Sequence, residues 1–273
     1  MKNHTQLKTF SATACRLLLI GAIGVMASGM SEAAPHDDIP GHEILVNHVR
    51  LEGSSMEKFH QDLRRYMADT CAAMGKPVQA PKEGVPVSRV DYDLYYSATS
   101  ITTYIHTDIQ QISPACEPFH NKTTEVEILS SSGLCQVSPG RKVARGNCDI
   151  PRAGVKRIVP TRSGIVATGE TLTLANEKCK VFAGKYAILN TEYCIAPAPN
   201  GFNGFAASWH AENPGVILKL VNWADTDRTS RIVDVSAKEV QFSIKVSHSV
   251  MAPHVDGGYQ VLGIKPAKHG VWQ

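Results

Sequence analysis

The chain has 273 residues, of which 43% are hydrophobic and 19% are charged. This composition is typical of a globular protein and excludes a disordered one. The formal net charge is +3, and without residues 1–33 the chain keeps 25 basic and 24 acidic residues. A nearly neutral protein has no overall field that attracts nucleic acid or an anionic membrane, so we expect no nucleic acid among its partners.

Residues 1–33 have the three parts of a secretory signal peptide. The start is basic, the apolar stretch from residue 17 to 26 is too short to span a bilayer, and Ser31 and Ala33 are small residues at a cleavage site. No later apolar run reaches transmembrane length. We therefore predict a periplasmic or secreted product that has no transmembrane segment after processing.

Residues 34–273 are predicted to form a single exported, β-rich domain. About 240 residues suffice for one large hydrophobic core. A proline-rich linker at residues 77–86 is the place where this domain could divide.

One amphipathic helix is predicted from about Ser55 to Met74. Apolar residues recur there at three- and four-residue intervals, which gives one stripe that we expect to be buried. Its members are Met56, Phe59, Leu63, Tyr66, Met67, Thr70 and Met74. Ser54 and Glu57 have the spacing of a capping box at the start of this helix.

After the linker, the spacing between hydrophobic residues changes from three or four residues to two. Apolar and polar residues alternate in the segments 90–96, 101–109, 124–128, 216–220 and 240–246. Such alternation is typical of strands with one buried and one wet face, as in antiparallel sheet. We predict an α+β protein dominated by β-structure: a mostly antiparallel, sandwich-like sheet with one N-terminal amphipathic helix and up to three disulfides.

The cysteines predict disulfides in an oxidising compartment. Six of the seven follow the leader: Cys71, Cys116, Cys135, Cys148, Cys179 and Cys194. An even number outside the cytosol favours three bridges. Pairing close neighbours gives Cys135–Cys148 and Cys179–Cys194 and leaves Cys71 with Cys116. Six cysteines allow many other pairings, so the sequence leaves the connectivity open.

No complete catalytic motif is present. Ser55 and Lys58 match the Ser-x-x-Lys of penicillin-binding proteins and serine β-lactamases, but the companion motifs of those enzymes are missing. We therefore interpret this match as part of a helix start with an exposed lysine. No nucleophile elbow, zinc-protease helix or phosphate-binding loop occurs, so we predict no cofactor and do not favour an enzyme.

Two groups of histidines have spacings that could suit a metal ion. His36, Asp37, His42 and His48 near the mature N-terminus could form a loose cluster, and we interpret them as part of a solvated tail. His248 and His254, with Asp256, follow the last alternating segment, and His248 continues its apolar face. We interpret these as residues at the edge of the core, and predict no metal site.

Two segments are candidate binding surfaces. Residues 139–164 hold seven basic residues and one acid, which is typical of an exposed loop. Residues 196–213 place aromatic rings among Gly, Pro and Asn, a setting in which rings serve binding sites. We predict binding residues there: Phe202, Phe205, Trp209 and His210. The alternative is a loop that folds back, so that its rings fill one end of the sheet core.

Together these features favour an exported, disulfide-stabilised binding protein. Its expected partner is another exported protein or a surface polysaccharide. One alternative is an exported hydrolase with a site of dispersed His, Asp and Glu residues, which predicts a pocket where such groups converge. A second is a structural subunit of an envelope assembly, which predicts an unpaired apolar edge strand. The sequence leaves the oligomeric state open.

Overall fold

A computed structural model describes most of the chain from residue 43 to residue 263. The described residues are 25–26, 43–78, 86–98, 100–130, 133–148, 159–160, 165–186, 189–198, 215–224 and 231–263. Within them, the strands are β1 (Val25–Met26), β2 (Glu43–Ser55), β3 (Ser88–Tyr96), β4 (Ser100–Ile112), β5 (Pro118–Ser130), β6 (Gly133–Ser138), β7 (Val143–Gly146), β8 (Val159–Pro160), β9 (Val166–Leu174), β10 (Glu177–Tyr186), β11 (Leu189–Pro197), β12 (Gly215–Ala224), β13 (Arg231–Ser247) and β14 (Gln260–Gly263). The helices are α1 (Glu57–Ala73), the one-turn α2 (His248–Met251) and α3 (Pro253–Asp256), and a 3-10 turn at Pro139–Arg141.

Twelve of these strands form one open sheet. Their order is β14-β7-β6-β5-β4-β3-β2-β13-β12-β11-β10-β9, and all neighbours are antiparallel except β14 and β7. Strands β1 and β8 pair in a separate two-stranded sheet. The β-dominated, mostly antiparallel fold is thus confirmed, whereas the sandwich-like arrangement is not, because one sheet runs through all twelve strands. Among the described residues, no helix is long and apolar enough to cross a membrane.

The larger core cluster lies on one face of β2, β3, β4 and β10–β13. The alternation predicted for residues 90–96 and 101–109 places its apolar members there, since neighbouring residues of a strand point to opposite faces. Its buried members are Val49, Leu51, Val90, Tyr92, Tyr96, Ile101, Cys179, Val181, Cys194, Ala196, Val216, Leu218, Val233, Val235 and Ala237. The other face of β3 and β4 carries the polar Asp91, Asp93 and His106, with Tyr95 and Tyr104 toward one end.

A second cluster covers the far part of that other face. Val126, Ile128 and Val137 are buried there with the Cys135–Cys148 disulfide, and Tyr104 packs against them. The segment of α2 and α3 lies over the ends of the strands: the Tyr104 hydroxyl donates to the Val250 carbonyl at 2.9 Å. One face of β4 is thus covered at one end and open at the other.

Strand β13 joins the two halves of the sheet. It pairs with β12 on one side and with β2 on the other, and its pairing with β2 has two register shifts. At one shift, Ser243 has a positive φ of 54°, and its N–H donates to the buried Asn47 Oδ1 at 3.0 Å. Such bulges bend and twist a long strand, so β13 can serve both halves.

The three disulfides are Cys71–Cys116, Cys135–Cys148 and Cys179–Cys194. The pairing of close neighbours is therefore confirmed. Two bridges tie adjacent parts of the sheet, and the third tethers α1 to the segment after β4. Three disulfides are typical of proteins outside the reducing cytosol.

Helix α1 is rotated relative to the sequence prediction. Phe59, Leu63 and Tyr66 of the apolar stripe are 46%, 39% and 59% exposed, whereas the buried residues of the helix are Arg64 and Cys71. The expectation of a buried stripe was wrong. The disulfide at Cys71 turns another face of the helix toward the sheet. The periodicity of hydrophobic residues could not predict this orientation, because it carries no information about a covalent bond.

The predicted capping box is also wrong. Met56 is the N-cap and has a left-handed backbone, with no side-chain hydrogen bond at the cap. Glu57 instead accepts hydrogen bonds from the backbone N–H groups of Val87 and Ser88 at 2.8 and 2.7 Å. This carboxylate therefore holds the start of α1 against the start of β3.

A matched pair of leucines tests this orientation of α1. Leu63→Ala should lower the free energy of unfolding by less than about 0.5 kcal/mol, because the side chain is exposed. Leu51→Ala in the core, where the residue is 2% exposed, should cost about 3 kcal/mol. Urea unfolding measures both, and similar losses for the two variants would contradict the orientation.

Candidate functional site

A polar groove lies on the open face of β3, β4 and β5. Its volume is about 380 Å³, which is in the size range of small-ligand sites. It is lined by Arg89, Asp91, His106, Thr107, Asp108, Lys122, Thr123 and Thr124. All of these belong to the three adjacent strands.

Strand register brings the groove residues together. Asp91 is directly opposite His106, which is opposite Thr124 on the next strand. Arg89 is opposite Asp108 in the neighbouring row, and Asp108 is opposite Lys122. Directly opposed residues of antiparallel strands share a face and contact each other. Two cross-strand rows therefore form the floor of the groove.

One carboxylate at the edge of the groove bridges two imidazoles. Asp93 Oδ1 lies 3.1 Å from His48 Nε2, and Asp93 Oδ2 lies 3.3 Å from His106 Nε2. The other ring nitrogen of His106, Nδ1, lies 3.0 Å from the Thr124 hydroxyl. These contacts form a polar chain that crosses four strands and ends in the groove.

Aromatic rings border this chain on the covered side. The ring of His48 stacks on Tyr95 with centroids 4.6 Å apart, and His106 stacks on Tyr104 at 6.3 Å. Tyr95 and Tyr104 meet edge to face at 5.9 Å. The two tyrosines separate the polar groove from the apolar cluster beneath α2 and α3.

Two carboxylates at the site, Asp93 and Asp108, are held in their ionised form. The hydrogen bond from His48, together with nearby positive charge, outweighs burial and lowers the pKa of Asp93. At Asp108, partial burial alone would raise the pKa, but hydrogen bonds from His120 and Lys122 lower it. Burial raises the pKa of Tyr104 to about 12. These groups are therefore charged carboxylates and a neutral phenol at physiological pH.

Opposite charges in the groove are arranged in pairs. Arg89 Nε lies 3.0 Å from Asp91 Oδ1, and Asp108 contacts both His120 at 2.9 Å and Lys122 at 3.4 Å. Two basic and two acidic side chains therefore line the groove in balance. Arg and Lys retain N–H donors, and the carboxylates retain acceptor sites, after these pairs have formed.

The described residues form no metal centre. Among them, no group of three or more His, Cys, Asp or Glu side chains is placed to hold a metal ion. His254 lies in the core, with Nε2 2.8 Å from the Cys148 carbonyl oxygen, and His248 is also buried. Of the predicted N-terminal group, His48 belongs to the Asp93 chain, whereas His36, Asp37 and His42 lie outside the described residues.

The Ser-x-x-Lys match does not form a reactive pair. Ser55 ends β2 and donates its hydroxyl hydrogen to the Ile232 carbonyl at 3.2 Å. Lys58 Nζ instead lies 2.8 Å from Asp62. Neither group faces the other.

The predicted aromatic binding residues lie outside the described part of the chain: Phe202, Phe205, Trp209 and His210. Their role in binding stays a prediction. Of the basic segment, Lys142 packs over the Tyr259 ring at 4.6 Å.

The groove residues were missed in the sequence because they come from three strands. A usable signal was present, since polar residues alternate with the apolar ones in 90–96 and 101–109. Pairing these two segments through their short turn would have placed Asp93 near His106. The cross-strand contact with His48 depends on a strand more than 40 residues away.

Comparison with known proteins gives little support for any assignment. No protein-family model matches this sequence, and no curated protein matches it. Two solved structures of PNGF-II, in space groups C2 and P21, align with TM-scores of 0.35 and 0.38. Each is 11% identical and is matched over 81% of this chain but only 31% of its own. We draw no functional argument from this distant similarity.

The contacts between Asp93 and the two histidines predict a contribution to stability that is lost in acid. Because the folded state lowers the pKa of Asp93, its contribution is complete above the ordinary aspartate pKa of about 4 and is lost as pH falls through the lowered value. Asp93→Asn should lower the free energy of unfolding by about 2 kcal/mol at pH 7. This difference from the wild type should become smaller as the pH falls toward 3. Unfolding in urea across this range measures both.

The exposed pair of Glu43 and Lys245 provides the control for this experiment. Glu43→Gln should leave stability nearly unchanged. Two results would show that the ionised carboxylate does not stabilise the protein. In one, Asp93→Asn is as stable as the wild type at pH 7. In the other, the variant's loss of unfolding free energy stays constant down to pH 3.

Proposed function

We propose that this protein is an exported binding protein whose groove on β3–β5 takes a neutral, hydroxyl-rich ligand, namely a surface polysaccharide. The observation that carries the proposal is the balanced set of donors and acceptors in the groove: Arg89, Asp91, Asp108 and Lys122. A ligand hydroxyl can donate to the carboxylates and accept from the cations, so it suits both kinds of group.

The charge balance argues against strongly charged ligands. A phosphodiester, as in a nucleic acid backbone, has no proton to donate and would be repelled by Asp91 and Asp108. The existing ion pairs hold the groove side chains in place before a ligand arrives, which reduces the entropy lost on binding. Tyr95 and Tyr104, at the border, add apolar ring surface of the kind that binding sites use.

Export and processing belong to the same proposal. The three disulfides support an oxidising compartment, either periplasmic or extracellular. Cleavage after Ala33 would remove β1, which belongs to the small separate sheet, and would leave all twelve strands of the large sheet. The predicted aromatic residues of 196–213 remain a proposed second contact surface.

A hydrolase is the second candidate, favoured by the convergence of His106, Asp91 and Asp108 in one groove. The chain from Thr124 through His106 to Asp93 also places a hydroxyl, an imidazole and a carboxylate in sequence. One observation weighs against catalysis. The lowered pKa values of Asp93 and Asp108 oppose the role of general acid, which needs a raised value.

A structural subunit is the third candidate. Among the described strands, β9 and β14 form the two edges of the sheet. Val166 of β9 and Val261 of β14 are exposed there. Gly169, with a positive φ of 87°, interrupts β9 near a register shift, which makes that edge a poor template for another strand.

An oligosaccharide array tests the proposed function. The processed protein should bind neutral oligosaccharides, and Arg89→Gln or Asp91→Asn should weaken binding about tenfold, since each removes hydrogen bonds to a charged group. The matched controls Lys245→Gln and Glu43→Gln change an exposed pair elsewhere on the sheet and should bind like wild type.

The results separate binding in the groove from hydrolysis and from binding by the aromatic segment. Turnover of a bound oligosaccharide that is abolished in His106→Ala would favour the hydrolase. The triple variant Phe202→Ala, Phe205→Ala, Trp209→Ala could lose binding while the groove variants keep it. This result would place the binding site in the aromatic segment. Absence of any oligosaccharide binding would contradict the proposal.

A further inference from the structure

Both ring nitrogens of His106 contact side chains of neighbouring strands. Nε2 lies 3.3 Å from Asp93 Oδ2, and Nδ1 lies 3.0 Å from the Thr124 hydroxyl oxygen. Register explains this arrangement, because His106 is directly opposite Asp91 on β3 and Thr124 on β5, and Asp93 is two residues further along β3. The imidazole therefore connects a carboxylate to a hydroxyl that lines the groove.

The charge of Asp93 determines which nitrogen of a neutral His106 ring carries the hydrogen. The pKa of Asp93 is lowered, chiefly by the hydrogen bond from His48, so this carboxylate is ionised at neutral pH and only accepts hydrogen bonds. It would repel a lone pair on Nε2, so the neutral ring places its hydrogen there. Nδ1 is then the acceptor, and the Thr124 hydroxyl donates to it.

Protonation of His106 reverses the hydrogen bonding of Thr124. Next to the neutral ring, the single hydroxyl hydrogen of Thr124 is used, and its oxygen offers only lone pairs to a ligand. A protonated ring carries hydrogen on both nitrogens, so Nδ1 donates to the Thr124 oxygen. The hydroxyl hydrogen can then point into the groove. One proton on the imidazole thus converts a groove acceptor into a donor.

The charges that face His106 from its own and the neighbouring strands oppose one another. Acidic groups favour a protonated ring and basic groups disfavour it. The acids are Asp91 and Asp93 on β3 and Asp108 on β4, and the basic groups are Arg89 on β3, Lys122 on β5, and Arg50 and His48 on β2, while Tyr104 stacks on the ring as a neutral phenol.

With opposing charges around it, the His106 ring is sensitive to its contact with water. Its side chain is 42% exposed, and it lines the groove. A ligand that fills the groove removes water from the ring, and the loss of water disfavours the charged form of an imidazole. A bound neutral ligand therefore favours the neutral ring, which is the state in which Thr124 is an acceptor.

We propose that His106 and Thr124 form a proton switch that sets the affinity of the groove for a hydroxyl-rich ligand, an inference that rests on the function proposed above. With the ring neutral, Asp91 and Thr124 on its two sides both accept hydrogen bonds from ligand hydroxyls. With the ring protonated, Thr124 is a donor and the ligand covers a charge. The ligand is thus held at neutral pH and released in acid.

The affinity for one neutral oligosaccharide at two pH values tests the switch. The probe is the oligosaccharide that binds best on the array, and it has no titratable group of its own. Calorimetric titration gives the Kd at pH 8 and pH 5, which lie on the two sides of the ordinary titration range of histidine. The Kd of the wild type should rise about tenfold at pH 5, which corresponds to the loss of one hydrogen bond.

Variants of the two residues separate the switch from other effects of pH. His106→Asn has no charged state at either pH, so its Kd should be the same at both. Thr124→Val should show a change of less than about threefold, caused only by the covering of the ring, whereas Thr124→Ser should keep the wild-type response. The control is His60→Asn, which removes a histidine of α1 that does not line the groove, and it should also respond like wild type.

Nitrogen-15 NMR of the ligand-free protein tests the hydrogen positions independently of binding. At pH 8, the chemical shifts of His106 should show hydrogen on Nε2 and a lone pair on Nδ1. The opposite neutral tautomer would overturn the switch.

The binding results distinguish a failure of the switch from a failure of the proposed function. A wild-type Kd that does not rise at pH 5, or a full response in His106→Asn or Thr124→Val, would overturn the switch while the groove remains a binding site. Absence of binding at both pH values would contradict the proposed function, and the switch with it.

Discussion

The fold depends on the antiparallel pairing of β2 with β13. This pairing connects the β3–β7 half of the sheet to the β9–β12 half, and it brings the buried residues of both halves into one core cluster. The two strands approach very closely at Gly53. A Cβ at that position would lie 1.9 Å from the Asp234 carbonyl oxygen, so the pairing requires glycine there.

The same pairing positions the candidate site. Strand β2 carries His48, which holds Asp93 and, through it, His106 at the edge of the groove. The segment of α2 and α3 follows β13 directly and covers the apolar end of the same face. The groove is thus the part of the sheet surface that this cover leaves open, and its polar character follows from strand alternation.

The sequence predicted much of the fold and little of the site, for identifiable reasons. Period-two alternation correctly assigned the faces of β3 and β4, and the close spacing of Cys179 and Cys194 correctly predicted a local bridge. Alternation reports which face of a strand is buried but not which strand is its neighbour. For this reason the single open sheet and the contact between His48 and Asp93 were not foreseen. The rotation of α1 could not be read from its apolar stripe, because the disulfide at Cys71 and the Glu57 hydrogen bonds orient the helix.

The stability of Gly53→Ala tests the central pairing most directly. The added methyl group collides with backbone, which cannot move without breaking the β2–β13 ladder, so the variant should lose at least about 3 kcal/mol of unfolding free energy. Gly140→Ala is the control, because nothing lies within 4 Å of the Cβ position there, and it should unfold like the wild type. If Gly53→Ala were as stable as Gly140→Ala, β2 and β13 could not be paired in this register.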